Sequence, residues 1–174
     1  AQKYDICDIL VQESVSLTMK KLLDVIMRFQ ISLESVKKAI QHLKDMNSWD
    51  PKSDDASEAL EEAYCAMKYD ICDLLIQEGV SLAMKNLLGI ITRFQIALKS
   101  VKKAILHLKD TNSWNPSCDE AFKALEKCYC EQKYDICDLL VQEGISLSMK
   151  NLIGVVEGCH ASLESVEKAI QYLK

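Results

Sequence analysis

The sequence has few of the residues that break helices or favour strands. Its 174 residues include two prolines and five glycines, and its aromatic residues are two Trp, six Tyr and three Phe. A sheet protein built from many short strands needs more turn-forming and aromatic residues than these. We therefore expect an all-helical chain.

Neither charge nor hydrophobicity is concentrated in long blocks. The 26 acidic and 21 basic residues are interspersed and give a formal net charge of -5, which argues against a nucleic-acid partner and against a polybasic membrane anchor. No apolar run is longer than five residues, so no segment is predicted to span a bilayer. Since 49% of the residues are apolar, the chain can still bury a sizeable core.

The sequence is built from a repeated unit. The motif Lys-Tyr-Asp-Ile-Cys-Asp starts at Lys3, Lys68 and Lys133, which defines a period of 65 residues. The 42 residues that start at Lys68 are identical to those of the first copy at 31 positions and to those of the third at 26 positions. Such tandem copies are typical of helical arrays in which each unit packs on its neighbours.

The copies set the predicted domain organisation. The segments between them contain Asn-Ser-Trp followed by Asp-Pro or Asn-Pro, and each proline stops a helix from running through the segment. We predict a single helical-repeat domain, residues 1–174, made of copies 1–52, 53–116 and 117–174.

Two apolar stripes predict the helices of each copy. From Met84 to Leu108 the apolar residues recur in steps of three and four, which predicts one helix of about 28 residues at the end of each copy. A second stripe runs from Leu60 to Leu74. In a straight helix the two stripes would lie on nearly opposite sides.

The junction between the stripes leaves two topologies open. Gly79 and Gly144 can act as left-handed C-caps, with Ser81 and Ser146 as the following N-caps, so that three antiparallel helical hairpins stack. The alternative is a helix that continues through each glycine, which gives three very long helices in one bundle. Because helices of more than about 50 residues are rare, we favour the hairpins.

The eight cysteines suggest a compartment and a pairing. An even and high cysteine count favours a secreted protein whose signal peptide has been removed. In a hairpin that turns at Gly144, Cys128 or Cys130 faces Cys159, and these three are disulfide candidates. In the bundle of long helices Cys65 would instead lie level with Cys159.

No residue pattern typical of catalysis or metal binding occurs in the sequence. It has no Cys-x-x-Cys pair of the kind that zinc sites use, no Cys–His arrangement with an orienting residue and no Gly-rich phosphate loop. We therefore expect a protein that is not an enzyme and that holds no cofactor or metal.

Aromatic residues are the best candidates for contact with a protein partner. In the segments between the copies these are Trp49 and Trp114, and in the helices they are Tyr69 and Tyr134. The alternative for each Trp is that it covers the end of its own helix bundle.

Cys-Tyr-Cys at 128–130, with Ala-Tyr-Cys at 63–65 one period earlier, resembles the motif after which the BICYCLE effectors of gall-forming aphids are named. The resemblance covers a few residues. It implies a secreted, cysteine-containing, non-enzymatic protein that is delivered into a plant host.

A second resemblance involves Ala-Leu-Glu-Lys-Cys at 124–128 and Cys-Glu-Gln-Lys-Tyr at 130–134. These segments are similar to patterns in the plant invertase and pectin methylesterase inhibitors, which are helical bundles. This resemblance implies an inhibitor.

We predict a secreted, non-enzymatic helical-repeat protein that presents a binding surface to a protein, as an effector delivered to a host or as an inhibitor. One alternative is a carrier that holds a small apolar ligand between its helices. A second alternative is a structural protein that assembles with copies of itself into a homo-oligomer.

Overall fold

The fold is given by a computed structural model, which describes residues 20, 32–158 and 162–173. This part of the chain contains nine α-helices and no strand beyond a single bridge between Leu147 and Leu173. The predicted all-α class is therefore confirmed. No helix among the described residues is long and apolar enough to cross a membrane.

The helices form two compact units, residues 1–81 and residues 82–174. The first unit contains α1 (Leu33–Asp45), α2 (Asp54–Cys65) and α3 (Tyr69–Gln77). The second unit contains α4 (Met84–Thr92), α5 (Leu98–Asp110), α6 (Asp119–Cys130), α7 (Tyr134–Gln142), α8 (Met149–Gly158) and α9 (Leu163–Gln171).

The second unit combines half of one sequence copy with the described helices of the next copy. Its α4 and α5 belong to copy 53–116, and its other four helices belong to copy 117–174. Within the unit α6 packs against α4 and α8, and α7 packs against α5. The packing boundary therefore differs from the predicted copy boundaries, because a helical pair that cannot bury its apolar face alone packs on the next copy. The stacking of three hairpins stays a prediction, since most of copy 1–52 lies outside the described residues.

The predicted long helices are broken into shorter ones. The stretch predicted as one helix from Met84 to Leu108 forms α4 and α5, with a break after Thr92 at which Gln95 has a φ of 56°. Upstream, Met67 has a φ of 56° between α2 and α3. Left-handed backbone cannot continue a right-handed helix. The prediction of a helix of about 28 residues is wrong, and so is the alternative of three very long helices.

The left-handed C-caps predicted at the two glycines are confirmed, but in the second unit the helices that flank Gly144, α7 and α8, are not among the described helices that pack on each other. Gly79 has a φ of 87° and follows α3, and Gly144 has a φ of 94° and follows α7. Both values lie in the left-handed region, which glycine adopts without a steric penalty. In the second unit the Ile145 N–H donates to the Leu140 carbonyl at 3.0 Å, which closes the end of α7.

The predicted N-caps after these turns are wrong. The next helices begin at Met84 and Met149 rather than directly after Ser81 and Ser146. The reason is an extended segment after each turn, whose leucine, Leu147 in the second unit, is buried in the core.

Other groups begin the two helices instead. At the start of α8 the Asn151 N–H donates to Ser148 Oγ at 3.3 Å and the Ser148 N–H donates to Asn151 Oδ1 at 3.1 Å. Each residue thus satisfies a backbone donor of the other, as in a capping box. At the start of α4 the Ala83 N–H donates to Asn86 Oδ1 at 3.0 Å.

The segment after α5 packs against the glycine turn that follows α7. A side chain added at Gly144 would lie 3.9 Å from Cβ of Pro116, and Lys109 at the end of α5 forms an ion pair with Glu143. The same arrangement occurs in the first unit, where Pro51 lies beside Gly79 and Lys44 pairs with Glu78. These contacts hold the end of one helical pair against the next pair.

Candidate functional site

Helices α8 and α9 of the second unit carry an exposed apolar surface. On α8 the exposed side chains are Met149, Ile153 and Val156, and on α9 they are Leu163 and Ile170. We name these five residues the α8–α9 face. Exposed apolar patches of this kind often mark binding surfaces.

Helical periodicity places the exposed residues of each helix on one side. On α8 the exposed side chains follow one another at steps of four and three, and on α9 they are seven residues apart. The opposite sides are buried at Val155 and Ala169. Both helices contact α6 and each other. Each helix therefore buries one side in the second unit and exposes a second apolar side.

Three of the five matching positions are buried on the preceding helical pair, and the other two, Leu88 and Leu98, are half-buried. The residues 65 positions earlier lie on α4 and α5, against which α6 and α7 pack. Among the described helices, no comparable pair packs against the exposed side of α8 and α9. The exposed fractions are 65% against 8% for Met149 and Met84, 51% against 0% for Val156 and Ile91, and 51% against 1% for Ile170 and Ile105.

Acidic residues lie beside the face. Glu157 on α8 and Glu164 and Glu167 on α9 are all exposed. At the positions that match the last two, α5 has Lys99 and Lys102. The negative border favours a partner without acidic residues at the contact and disfavours an anionic lipid surface.

Two polar contacts accompany the packing of α6 and α7 on α4 and α5. Lys133, in the turn between α6 and α7, donates from Nζ to the Ile91 carbonyl at 2.6 Å and to the Arg93 carbonyl at 2.8 Å. These carbonyls lie at the C-terminal end of α4, where a helix favours a positive charge. At the other end of the contact Glu143 pairs with Lys109.

The structure divides the four predicted aromatic anchors between the two units. Trp49 and Tyr69 lie in the first unit and Trp114 and Tyr134 in the second, and all four are half-buried. None of them belongs to the α8–α9 face.

The aromatic pair of the second unit also has contacts within that unit. The Tyr134 hydroxyl shares a hydrogen bond with Ser165 Oγ at 2.9 Å, and Lys168 Nζ lies 3.8 Å from the centre of its ring. Lys109 Nζ lies 6.0 Å from the centre of the Trp114 ring. The contact of Trp114 fits the alternative in which each Trp covers the end of its own helix bundle.

The predicted disulfide candidates differ in whether they carry a free thiol or form a disulfide. Cys65 and Cys128 are free thiols, so the structure does not support either of them as a disulfide partner. Cys130 is disulfide-bonded. Cys159 lies outside the described residues.

The environment of two of these thiols lowers their reactivity. A hydrogen bond with Cys137, together with burial, holds the pKa of Cys128 far above its ordinary value. Burial, with a smaller contribution from the charge of Glu61, raises the pKa of Cys65 to about 12. A thiol that stays protonated near neutral pH is a poor nucleophile. Among the described residues no three potential ligands cluster in a way that could hold a metal ion.

No protein-family model, no curated protein and no solved structure matches the chain. The resemblances to the aphid effectors and the plant inhibitors therefore rest on the short motifs alone.

The α8–α9 face was not predictable from the apolar spacing of the sequence. Its residues have the same spacing as the core stripe of the preceding copy, and the spacing does not show what packs against the stripe. One sequence difference does indicate that the two helical pairs have different surroundings. Lys99 and Lys102 are replaced by Glu164 and Glu167 at the matching positions of the next copy.

Proposed function

We propose that this chain is a secreted, non-enzymatic helical-repeat protein that binds another protein through the α8–α9 face. The observation that carries the proposal is the difference in exposure between matching repeat positions. Met84, Ile91 and Ile105 are buried on α4 and α5. The residues that match them on α8 and α9, which are Met149, Val156 and Ile170, are exposed. Covering this apolar surface would be favourable by about 25 cal/mol for each Å² removed from water.

The proposed role is that of an effector delivered to a host or of an inhibitor. Either role requires a binding surface and no reaction at the protein, and both are implied by the short motifs at 124–134. Secretion is supported by the even cysteine count and by the disulfide bond of Cys130, since disulfides persist in oxidising compartments.

Self-assembly is a second candidate, because a second copy of the chain could also cover the face. In a two-fold contact the same patch meets itself. The acidic residues beside the face, Glu157, Glu164 and Glu167, would then lie in the same contact as those of the second copy, which is unfavourable. This repulsion favours a different protein as the partner.

A small-ligand carrier is supported less well. Two described cavities, of about 490 and 470 Å³, have a size that suits a small ligand. The first has Glu34 and Lys37 in its wall and the second has Glu131 and Lys133. Charged walls are a poor match for an apolar ligand.

Native mass spectrometry of the purified chain separates these functions. A protein that binds a different protein should have the mass of the bare monomer. A copurified small-molecule mass would favour the carrier, and a series of oligomers would favour self-assembly. If oligomers occur and the Ile153→Asp variant reduces them to monomers, the face binds a second copy of the chain and the proposed function is wrong.

A further inference from the structure

The packing inside the second unit gives an example of what covers an apolar face of this repeat. The pair α6 and α7 lies on the pair α4 and α5, with α6 against α4 and α7 against α5. The covering structure is thus a short helical hairpin, and it spans both helices of the pair beneath it.

The exposed pair retains the apolar positions of the covered pair. Residues 84–108 and 149–173 are identical at 12 of 25 positions. Where the apolar positions of the face differ, the change is conservative: Ile91 becomes Val156, and Leu88 becomes Ile153. The α8–α9 face therefore keeps the residue types on which a hairpin packs in the same unit.

The hairpin contributes small side chains to its buried surface. The buried residues of α6 are Ala121, Ala124, Leu125, Cys128 and Tyr129, and three of these five are small. They recur at helical spacing on one side, and small residues allow helix axes to approach closely. A partner for α8 and α9 needs a similar amphipathic helix.

The turn of the hairpin contributes a lysine, Lys133, which also forms an ion pair with Glu131 at 2.6 Å. Lys133 donates to two carbonyls at the end of α4, those of Ile91 and Arg93. The matching positions at the end of α8 are Val156 and Gly158. Because the last carbonyls of a helix favour a cation, a lysine in the same place would bind there as well.

We infer that the α8–α9 face binds a helical hairpin of a partner protein that resembles α6 and α7, with small apolar residues on its contact side and a lysine in its turn. This inference rests on the proposed function, because it names the kind of partner that the face accepts. A hairpin is favoured over an anionic membrane surface by the acidic residues Glu157, Glu164 and Glu167.

The inference can be tested by supplying the hairpin within one molecule. Lys174 matches Lys109 in the repeat, so a second copy of residues 110–142 is fused directly after Lys174. Oxidation of Met149 by hydrogen peroxide, followed by peptide mass spectrometry, then reports whether the face is covered. We expect the oxidation rate of Met149 to fall at least about ten-fold relative to the natural chain, because oxidation then requires the hairpin to open.

Two variants of the extended chain serve as matched controls. Lys133→Gln in the appended copy removes the turn lysine and should restore part of the Met149 oxidation. Lys123→Gln in the appended copy changes an exposed lysine of α6 and should leave the protection unchanged. Equal effects of the two variants would show that the turn lysine has no part in binding.

Other results would overturn the inference. If Met149 in the extended chain is oxidised at the rate of the natural chain, the face does not accept such a hairpin. If vesicles of phosphatidylcholine and phosphatidylglycerol protect Met149 of the natural chain and the hairpin does not, the occupant is a membrane. A ligand or oligomer in native mass spectrometry would reject the proposed function while leaving the result with the hairpin unaffected.

Discussion

Met84 and Met149 occupy the same position of the 65-residue repeat, and they differ in environment. Met84 is 8% exposed at the start of α4, and Met149 is 65% exposed at the start of α8. Both residues lie in the second unit. The difference therefore comes from what packs on each helical pair and not from the residue type or the helix.

Asp substitutions at one repeat position should separate the covered pair from the exposed pair. Ile91→Asp places a carboxylate at a fully buried site and should destabilise the protein by about 4 kcal/mol or more, through lost packing and an unpaired buried charge. Val156→Asp lies on the α8–α9 face and should change the free energy of unfolding by less than about 0.5 kcal/mol. Urea unfolding followed by circular dichroism measures both. Similar losses in the free energy of unfolding for both variants would mean that Val156 is also buried by packing.

Alanine substitutions at two glycines should have opposite effects. Gly144→Ala forces a side chain into a backbone with a φ of 94° and should cost about 1 to 2 kcal/mol. Gly154→Ala lies inside α8 and should stabilise the helix by up to about 1 kcal/mol. The added methyl group would meet the Glu126 carboxylate at 2.9 Å, and that flexible side chain can move aside. The same urea titration measures both variants. A loss of stability in Gly154→Ala as large as that in Gly144→Ala would contradict the difference in backbone conformation between the two glycines.

His107 should make the stability of the protein depend on pH. Burial lowers its pKa from the ordinary value of 6.5, and the charge of Asp110 opposes this shift in part. Below pH 6.5 the unfolded chain then binds more protons at this residue than the folded chain does, so stability falls as the pH falls. We expect His107→Gln to lose less stability than the natural protein between pH 7 and pH 5.

Thermal unfolding at several pH values measures this effect. His42→Gln is the matched control, because His42 occupies the same repeat position near the end of α1. If the natural protein and His107→Gln lose equal stability on acidification, His107 is not the group responsible.

The cysteines should react in two classes. After unfolding without a reductant, iodoacetamide should alkylate the thiols among the described cysteines, which are those of Cys65, Cys72, Cys118, Cys128 and Cys137. Cys130 should react only after reduction, because it is disulfide-bonded. The predicted hairpin sets Cys128 or Cys130 opposite Cys159, and Cys128 carries a thiol. Digestion without reduction should therefore release a peptide pair that contains Cys130 and Cys159. Alkylation of Cys130 without reduction would contradict the disulfide and remove a main support for secretion.

The sequence predicted the features of the fold that backbone sterics impose. Gly79 and Gly144 follow the ends of α3 and α7 with a left-handed φ, and such a φ favours glycine. The repeat and the apolar spacing likewise predicted an all-helical chain. At these positions the type of residue is enough to predict the local backbone conformation.

The breaks within the predicted long helices could not be predicted in the same way. Met67 and Gln95 adopt left-handed backbone without being glycine. Phe94 keeps the apolar spacing of the stripe although it is 90% exposed in the segment between α4 and α5. The periodicity therefore continued across a point at which the helix ends.

The candidate site was not predictable from spacing for a different reason. Met84 and Met149 are the same residue in the same pattern, and their burial depends on a neighbouring helical pair. The predicted anchors Trp114 and Tyr134 were chosen by residue type, whereas the α8–α9 face is defined by the absence of a covering pair among the described helices. Only the packing distinguishes the two environments.

Peroxide oxidation of the methionines in the natural chain tests the central claim most directly, since it compares matching positions in one molecule. Met149 should be oxidised as fast as the exposed residues Met46 and Met67, and at least about ten times faster than Met84, which reacts only when the structure opens. Equal slow oxidation of Met149 and Met84 in the bare monomer would show that α8 and α9 are covered, and it would contradict the proposed binding surface.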